Sequence, residues 1–344
     1  MTAGADLTAF NTLRVPARAE RLLVIRDVAD LQALAGAAVP PIVLGGGSNV
    51  VLRRHLAGTV CLIRLRGVRV DPGGGGVSEV TAAAGENWHE LVRFCLGRGL
   101  AGIENLALIP GSVGAAPIQN IGAYGVELAD RFVRLRAMHL GSGETRTFTR
   151  EDCQFGYRHS LFKTPAGAGW VVVDVTLRLR ARAAPVLEYP DLREAVDRLG
   201  WSMPTPVQVA EAVIRVRRRK LPDPARIGNA GSFFKNPELP EAAARALQQR
   251  HPGLSLRPGS GGRLKLSAAQ LIDACGWKGH RRGAVAVWHR QPLVLVHSGG
   301  GTGGDVLALG EDIRRDVAAR FGVELTLEPE VLGQDDSLVL GSTP

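Results

Sequence analysis

From Gly102 to Gly125 the chain runs through small and apolar residues without a single Lys or Arg. Connecting segments that face water are seldom built this way, so this one is expected to be buried, against the chain itself or against a ligand. Small residues let a planar ring system approach closely, and amides beside glycines can bond its carbonyls and ring nitrogens, as a buried isoalloxazine requires. A plain buried loop is the alternative. At 344 residues the chain is long enough for two or three domains with a ligand held between them. Its 45% hydrophobic and 22% charged content is that of a globular protein and excludes disordered or fibrous architectures.

The pattern around this stretch is mixed. Apolar runs at Arg21–Ile25 and Pro41–Leu44 read as strands, and Asp27 as the N-cap of a helix carrying Val28, Leu31 and Leu34. Asp71-Pro72 followed by Gly73 to Gly76 is turn chemistry, which puts a boundary near residue 67. Val77–Ala84 reads as a strand, and Trp88, Leu91, Val92, Cys95 and Leu96 share one helical face. Val171, Val173, Val175, Leu177 and Leu179 alternate with Asp174, Thr176, Arg178 and Arg180, the period of a half-buried strand. A helix over Val209–Arg219 stops at Leu221-Pro222-Asp223-Pro224, giving a second boundary near 205–220. Beyond it, Ser267 and Gln270 form a capping-box pattern for a helix ending at Gly276, with strands at Ala284–Trp288 and Pro292–His297. A last helix, Asp305 to Phe321, stops at Gly322 and leads into a strand at Val323–Leu327. The fold class is α+β in three parts, 1–67, 68–215 and 216–325, with a tail from about 326 to 344 that packs back on the first two.

A net charge of +9 and a pI near 10.0 raise a nucleic-acid partner. Basic residues are spread along the chain, dense only at Arg215–Lys220, with no interleaved aromatics, so the field suits a small anionic substrate instead. The four cysteines are far apart and read as reduced thiols; no metal site is expected. No run of eighteen apolar residues occurs, and Asp6 and Asn11 interrupt any leader, so a cytoplasmic protein with no membrane partner is expected.

Two glycine loops compete for phosphate. Leu44-Gly45-Gly46-Gly47-Ser48-Asn49-Val50 follows an apolar strand but has Val50 where the dinucleotide fingerprint needs its last glycine. Gly299 to Gly304 satisfies that fingerprint formally, with Glu324 downstream, yet it sits near the C-terminus of a single β–α–β stretch. It reads as a loop leading into a helix.

Five further motifs remain: Phe10-Asn11-Thr12, Phe155-Gly156-Tyr157-Arg158-His159-Ser160, Arg219 to Pro224, Gly228 to Pro237 with Ser232 inside it, and Leu327-Glu328-Pro329-Glu330-Val331. With the two glycine-rich stretches, in order and over nearly the whole chain, they resemble the UDP-N-acetylenolpyruvoylglucosamine reductase family. Glu188-Tyr189 resembles the substrate-covering loop of its longer, type I form; Gly46 and Ala116 are mild departures.

The resemblance implies non-covalent FAD in two N-terminal domains of the vanillyl-alcohol-oxidase-like fold, and a third, substrate-binding α/β domain. It implies NADPH as co-substrate and a nucleotide-sugar enolpyruvate as substrate. The product would be UDP-N-acetylmuramate for peptidoglycan, hence cell-wall biogenesis, cell shape and division. FAD would lie against Gly45, Gly46, Gly47, Ser48 and Asn49, and against Ile109, Pro110, Gly111, Ser112, Gly114, Ala115, Ile118, Gly122, Ala123 and Tyr124. Ser232 resembles the proton donor, with Arg158 and Glu330 stabilising the enol intermediate. Tyr189, Arg217, Lys220, Asn236 and Gln291 match positions that hold the diphosphate or sugar. A monomer is expected. An oxidase of the same fold, acting on an alcohol or hydroxy acid, is the alternative; many such enzymes tether flavin through His or Cys, and no His lies in 102–125.

The chemistry asks for these residue types. Hydride delivered to the vinyl carbon leaves negative charge on its neighbour, which a fixed guanidinium stabilises. A serine then gives up its proton only where a cation or acid relieves the alkoxide.

Overall fold

The alternating segment Trp170–Arg180 is the middle strand of a five-stranded antiparallel sheet in the computed structural model, which describes residues 2–181 and 183–335. Phe132–His139 and Thr145–Thr149 flank it on one side, and Val77–Ala83 and Val68–Pro72 on the other. Its odd-numbered residues from Val171 to Leu179 are buried as the alternation requires. Asp174 and Thr176 are buried as well, which corrects the half-buried reading. Cross-strand partners cover them: Arg136 donates from Nε to Asp174 at 2.8 Å, and the Thr81 and Thr176 hydroxyls lie 2.9 Å apart.

By its contacts the chain divides into two units. The first comprises Met1–Ala3, Arg21–Gly46 and Gly58–Arg219, and holds this sheet. It also holds the parallel pairing of Ile42–Leu44 with residues 60–62. Asp27 caps the helix Val28–Gln32 through a capping box with Asp30. That helix is shorter than expected: Leu34 lies past its C-cap, in a turn that leads to Gly36 at φ +73°. The helix Trp88–Leu96, capped by Asn87, buries Trp88, Leu91, Val92 and Cys95. Trp88 Nε1 donates to the Leu106 carbonyl at 3.1 Å, which pins the start of the stretch 102–125 to this helix.

The second unit comprises Gly4–Glu20, Gly47–Ala57 and Lys220–Pro344. Its main sheet runs Gly228–Ser232, Val294–His297, Val285–Val287 and Arg281–Arg282. Ser267 caps the helix Ala268–Ala274. The rival glycine loop leads into the helix Gly303–Phe321: Thr302 and Asp305 form a capping box, and Gly322 closes the other end at φ +66°. A Cβ on Gly303 would stand 2.0 Å from the Leu52 carbonyl oxygen, so close packing already accounts for that glycine.

The expected strand at Val323–Leu327 does not form. Val323 and Leu325 point inward, but only Leu327 makes an isolated bridge, to Phe234, and Pro329 has no N–H to continue a ladder. Pairing resumes at Glu330–Leu332, parallel to Val50–Leu52. Residues 336–344 of the expected tail lie outside the described residues.

Candidate active site

The loop after Ile42–Leu44 approaches the stretch 102–125 so closely that only glycine fits. A Cβ on Gly45 would lie 2.4 Å from Ser112 Oγ, and one on Gly46 2.7 Å from Gly111 Cα. Arg64 Nη1 holds the Gly45 carbonyl at 3.0 Å. The Ser112 side chain is buried, and its hydroxyl has no hydrogen-bond partner. A buried polar atom in that state calls for a ligand or solvent group. Two glycine-rich segments, remote in sequence, thus form one backbone surface with an unspent hydroxyl, a fit for a phosphate-bearing ligand.

The stretch itself is buried along 102–107 and at Val113, Ala116, Pro117, Asn120 and Ile121. Candidate cofactor positions Ile109, Gly111, Gly114, Ala115, Ile118, Gly122, Ala123 and Tyr124 are half-buried and Pro110 is exposed. Leu108, Asn120, Tyr124 and Arg158 all have positive φ, between 45° and 60°, which non-glycine residues adopt only under constraint. The constraints are visible. His89 Nδ1 accepts from the Leu108 N–H at 3.0 Å. Asn105 Nδ2 donates to the carbonyls of Tyr124 at 2.8 Å and Val186 at 2.9 Å. Asn120 Nδ2 donates to Glu127 and to the Gly156 carbonyl, while its Oδ1 accepts from the Ala129 N–H. Arg158 Nη2 reaches the Gly122 carbonyl at 2.8 Å, and Ser160 Oγ the Ile118 carbonyl at 2.7 Å.

His89, Asn105, Asn120 and Ser160 carry no assigned role in the sequence reading, although Asn105 and Asn120 stand within the stretch 102–125 and Ser160 ends the Phe155–Ser160 motif. A buried amide there has to be bonded, and that was the available signal.

Tyr189 precedes the helix Pro190–Arg198, its ring edge-on to Tyr124 at 5.2 Å between centroids. Arg217 lies on the helix Pro206–Lys220, half-buried, with Nε buried and unbonded. Burial pushes its pKa below the usual value, opposed only by Tyr124. Burial likewise pushes the Tyr124 phenol up to about 12.

In the second unit Gly47, at φ +62°, packs on Phe10-Asn11-Thr12: a Cβ there would meet the Phe10 carbonyl oxygen at 2.0 Å, and Thr12 N–H donates to the Gly47 carbonyl at 2.9 Å. Ser48 is next in the loop and half-buried. Asn49 Nδ2 donates to the Glu328 carbonyl at 3.2 Å, and the Asn49 carbonyl accepts from Glu330 N–H at 3.0 Å. Ser232 ends its strand after a bulge, where Asn229 and Ser232 pair with Val296 and Val294. Gly231, at φ +72°, donates to Asn229 Oδ1 at 3.1 Å within that bulge. Next to it Phe233 and Phe234 are buried edge to face, and the Phe233 carbonyl accepts from Glu328 N–H at 3.0 Å. Ser232 and the exposed Glu330 are therefore brought into one region through Phe233 and Glu328. Gln291 lies in the turn before Val294, the partner of Ser232, and its Oε1 accepts from Leu293 N–H at 3.4 Å. Asn236 Oδ1 accepts from Ala268 N–H at 3.0 Å, and Trp288 Nε1 donates to the Lys220 carbonyl at 3.0 Å.

Among the described residues no helix is long and apolar enough to cross a membrane. Residues 20–149 match the family model of an FAD binding domain, and residues 223–332 that of the UDP-N-acetylenolpyruvoylglucosamine reductase C-terminal domain. The UDP-N-acetylenolpyruvoylglucosamine reductase of Azoarcus sp. (strain BH72) is 51% identical over 96% of this chain and 97% of that protein. The Chromobacterium violaceum protein of the same name is 45% identical over 96% of this chain and 98% of its own length. A crystal structure of UDP-N-acetylenolpyruvylglucosamine reductase from Thermus caldophilus superposes with a TM-score of 0.66 at 27% identity, covering 96% of this chain and 98% of that one. With relatives matched end to end and both domain models met in order, this chain belongs to the UDP-N-acetylenolpyruvoylglucosamine reductase family.

Proposed function

We propose that this chain is an FAD-dependent, NADPH-consuming reductase that converts UDP-N-acetylglucosamine enolpyruvate to UDP-N-acetylmuramate in peptidoglycan precursor synthesis. Family membership supports the overall reaction, and the observation carrying the cofactor reading is the close approach of Gly45–Gly46 to Gly111–Ser112 around an unbonded Ser112 hydroxyl. Gly45, Gly46, Gly47, Ser48 and Asn49 are read as holding the diphosphate of FAD, and the half-buried positions from Ile109 to Tyr124 as lying against its ring. Nothing in this reading tethers the flavin covalently. The oxidase alternative is not favoured, because the relatives matched along the whole chain are named reductases.

FAD held by these residues would supply two-electron hydride chemistry between NADPH and the vinyl carbon of the substrate. Arg158 holds the negative charge that then collects on the carboxylate-bearing carbon, and its bond to Gly122 fixes the guanidinium beforehand. Ser232 gives the proton from Oγ to that carbon, and Glu330 shares the relief of the alkoxide. Tyr189, Lys220, Asn236 and Gln291 hold the nucleotide diphosphate and sugar. Arg217, on the helix Pro206–Lys220, is read as serving the same groups.

The parts 1–67 and 68–215 are read as two FAD-binding subdomains on which the tail packs back, and 216–325 as the substrate domain, in a cytoplasmic monomer without nucleic-acid partners. Purified protein should show flavin absorbance that NADPH bleaches without oxygen, and acid precipitation should release all the colour. Colourless protein after FAD addition, or a pellet that keeps its flavin, contradicts the reading.

A further inference from the structure

The turn that carries Tyr124 is a two-residue hairpin. Gly122–Ala123 pairs antiparallel with Val126–Glu127, and Tyr124 and Gly125, at φ +51° and +84°, join the two short strands. Gly122 stands directly opposite Glu127, and the side chains of such facing residues lie on the same side of a hairpin. Gly122 has no side chain, and Arg158 takes the space. A Cβ on Gly122 would stand 2.9 Å from Glu127 Cγ and 3.2 Å from Arg158 Nη1. The two half-buried side chains therefore close on one spot, and the carboxyl group of Glu127 begins one bond beyond the Cγ that reaches it.

Each is also held from its own side. The buried Asn120 donates from Nδ2 to Glu127 Oε2 at 2.8 Å, and Arg158 Nη2 donates to the Gly122 carbonyl at 2.8 Å. One hydrogen bond leaves a guanidinium free to swing about it, whereas a second on the neighbouring nitrogen fixes its plane. We infer that Glu127 is the counter-ion of Arg158 and the positioning residue that sets the plane of its guanidinium, leaving the rest of the fork for the negative charge that forms on the substrate. The inference rests on the reading of Arg158 as the enol-stabilising group. Glu127 acts through Arg158, so it serves the second half-reaction and not the reduction of flavin by NADPH. Asn120 orients the carboxylate, which gives Gly122 a reason to lack a side chain apart from any contact with the flavin.

The test is a double-mutant cycle read by stopped-flow absorbance of the holoenzyme without oxygen. Glu127→Gln keeps the shape and an acceptor for Asn120 but removes the charge. NADPH should bleach its flavin at the wild-type rate, while reoxidation by the enolpyruvyl substrate slows about tenfold or more. In an Arg158→Met background the same change should cost nothing further. A loss of equal size in that background means that Glu127 acts independently of Arg158, equal slowing of both half-reactions makes it scaffold, and reoxidation at the wild-type rate means that its charge positions nothing; each overturns the inference. Should the Gln variant fail to fold, a crystal structure of the wild-type holoenzyme decides. A Glu127 carboxylate oxygen within about 4 Å of an Arg158 nitrogen supports the pairing, and a carboxylate turned away from Arg158 ends it. Wild-type flavin that NADPH does not bleach would instead remove the reductase reading, and the pairing would then be judged on that crystal structure alone.

Discussion

Arg158 Nη2 donates to the Gly122 carbonyl at 2.8 Å, so the guanidinium read as the enol-stabilising group is fastened to the stretch read as the flavin surface. Arg158 itself sits at φ +51°, and the same turn is tied to the stretch by Ser160 Oγ donating to the Ile118 carbonyl and by Asn120 Nδ2 donating to the Gly156 carbonyl. The cation is thus placed before any substrate arrives. Arg158→Lys keeps the charge but loses the planar fork. Flavin content and NADPH reduction should be retained, while reoxidation by the enolpyruvyl substrate slows about 10²–10³-fold. Equal slowing of both half-reactions in rapid-mixing absorbance would assign Arg158 to the scaffold.

Asn105 bridges the carbonyls of Tyr124 and Val186, and so couples the flavin surface to the chain leading to Tyr189. Asn105→Ala leaves both acceptors without that donor inside the fold, at a cost on the order of 2–4 kcal/mol. Thermal unfolding with FAD present should shift down, and FAD should bind more weakly. A melting curve and an FAD titration that both match wild type would mean water replaces the amide.

His89 accepts a hydrogen bond at Nδ1, which requires the neutral ring, and burial is the largest cause lowering its pKa from 6.5. The sign follows directly: the unfolded chain binds this proton more readily, so stability is retained above about pH 6.5 and falls as pH drops below it. Glu90 opposes the shift, while Arg93, Arg217 and Arg218 reinforce it. Urea midpoints of His89→Gln between pH 7 and 5 should show less acid loss than wild type. Parallel curves would show that the Leu108 bond is not the sensitive element.

The two glycine loops should respond differently. Gly46→Ala puts a Cβ 2.7 Å from Gly111 Cα, where backbone has to move, so FAD affinity should fall sharply. Gly304→Ala meets nothing nearer than Thr302 Oγ1 at 3.4 Å, and FAD and NADPH reactivity should persist. Loss of NADPH reactivity in Gly304→Ala would revive the C-terminal fingerprint as a dinucleotide site.

Much of this was legible in the sequence because it rests on local rules. The Asp27, Ser267 and Gly322 caps and the odd face of Trp170–Arg180 follow from residue type and period. Burial of Asp174 was not legible, since it depends on Arg136 from a strand whose register the sequence does not state. The strand expected at Val323–Leu327 failed for a related reason: alternation marks which side chains point inward, but a ladder also needs a neighbour with free N–H and C=O groups. Of the candidate residues, Ser232, Arg158 and Glu330 were named from motifs, whereas His89, Asn105 and Asn120 act through bonds to backbone atoms far along the chain. Side-chain type alone does not announce such partners.

The bulge before Ser232 and the buried Phe233–Phe234 pair fix that hydroxyl at the end of its strand, in the region that also holds Glu330. The account assigns its proton to the second half-reaction alone, which makes Ser232→Ala the most direct test. Stopped-flow absorbance without oxygen should show NADPH bleaching the flavin at near wild-type rate, while reoxidation by the enolpyruvyl substrate slows by about 10²–10⁴-fold, as expected for loss of a positioned proton donor. Ser232→Cys should recover part of that rate. If flavin reduction by NADPH slows as much as reoxidation does, Ser232 is structural and the assignment of the proton is wrong.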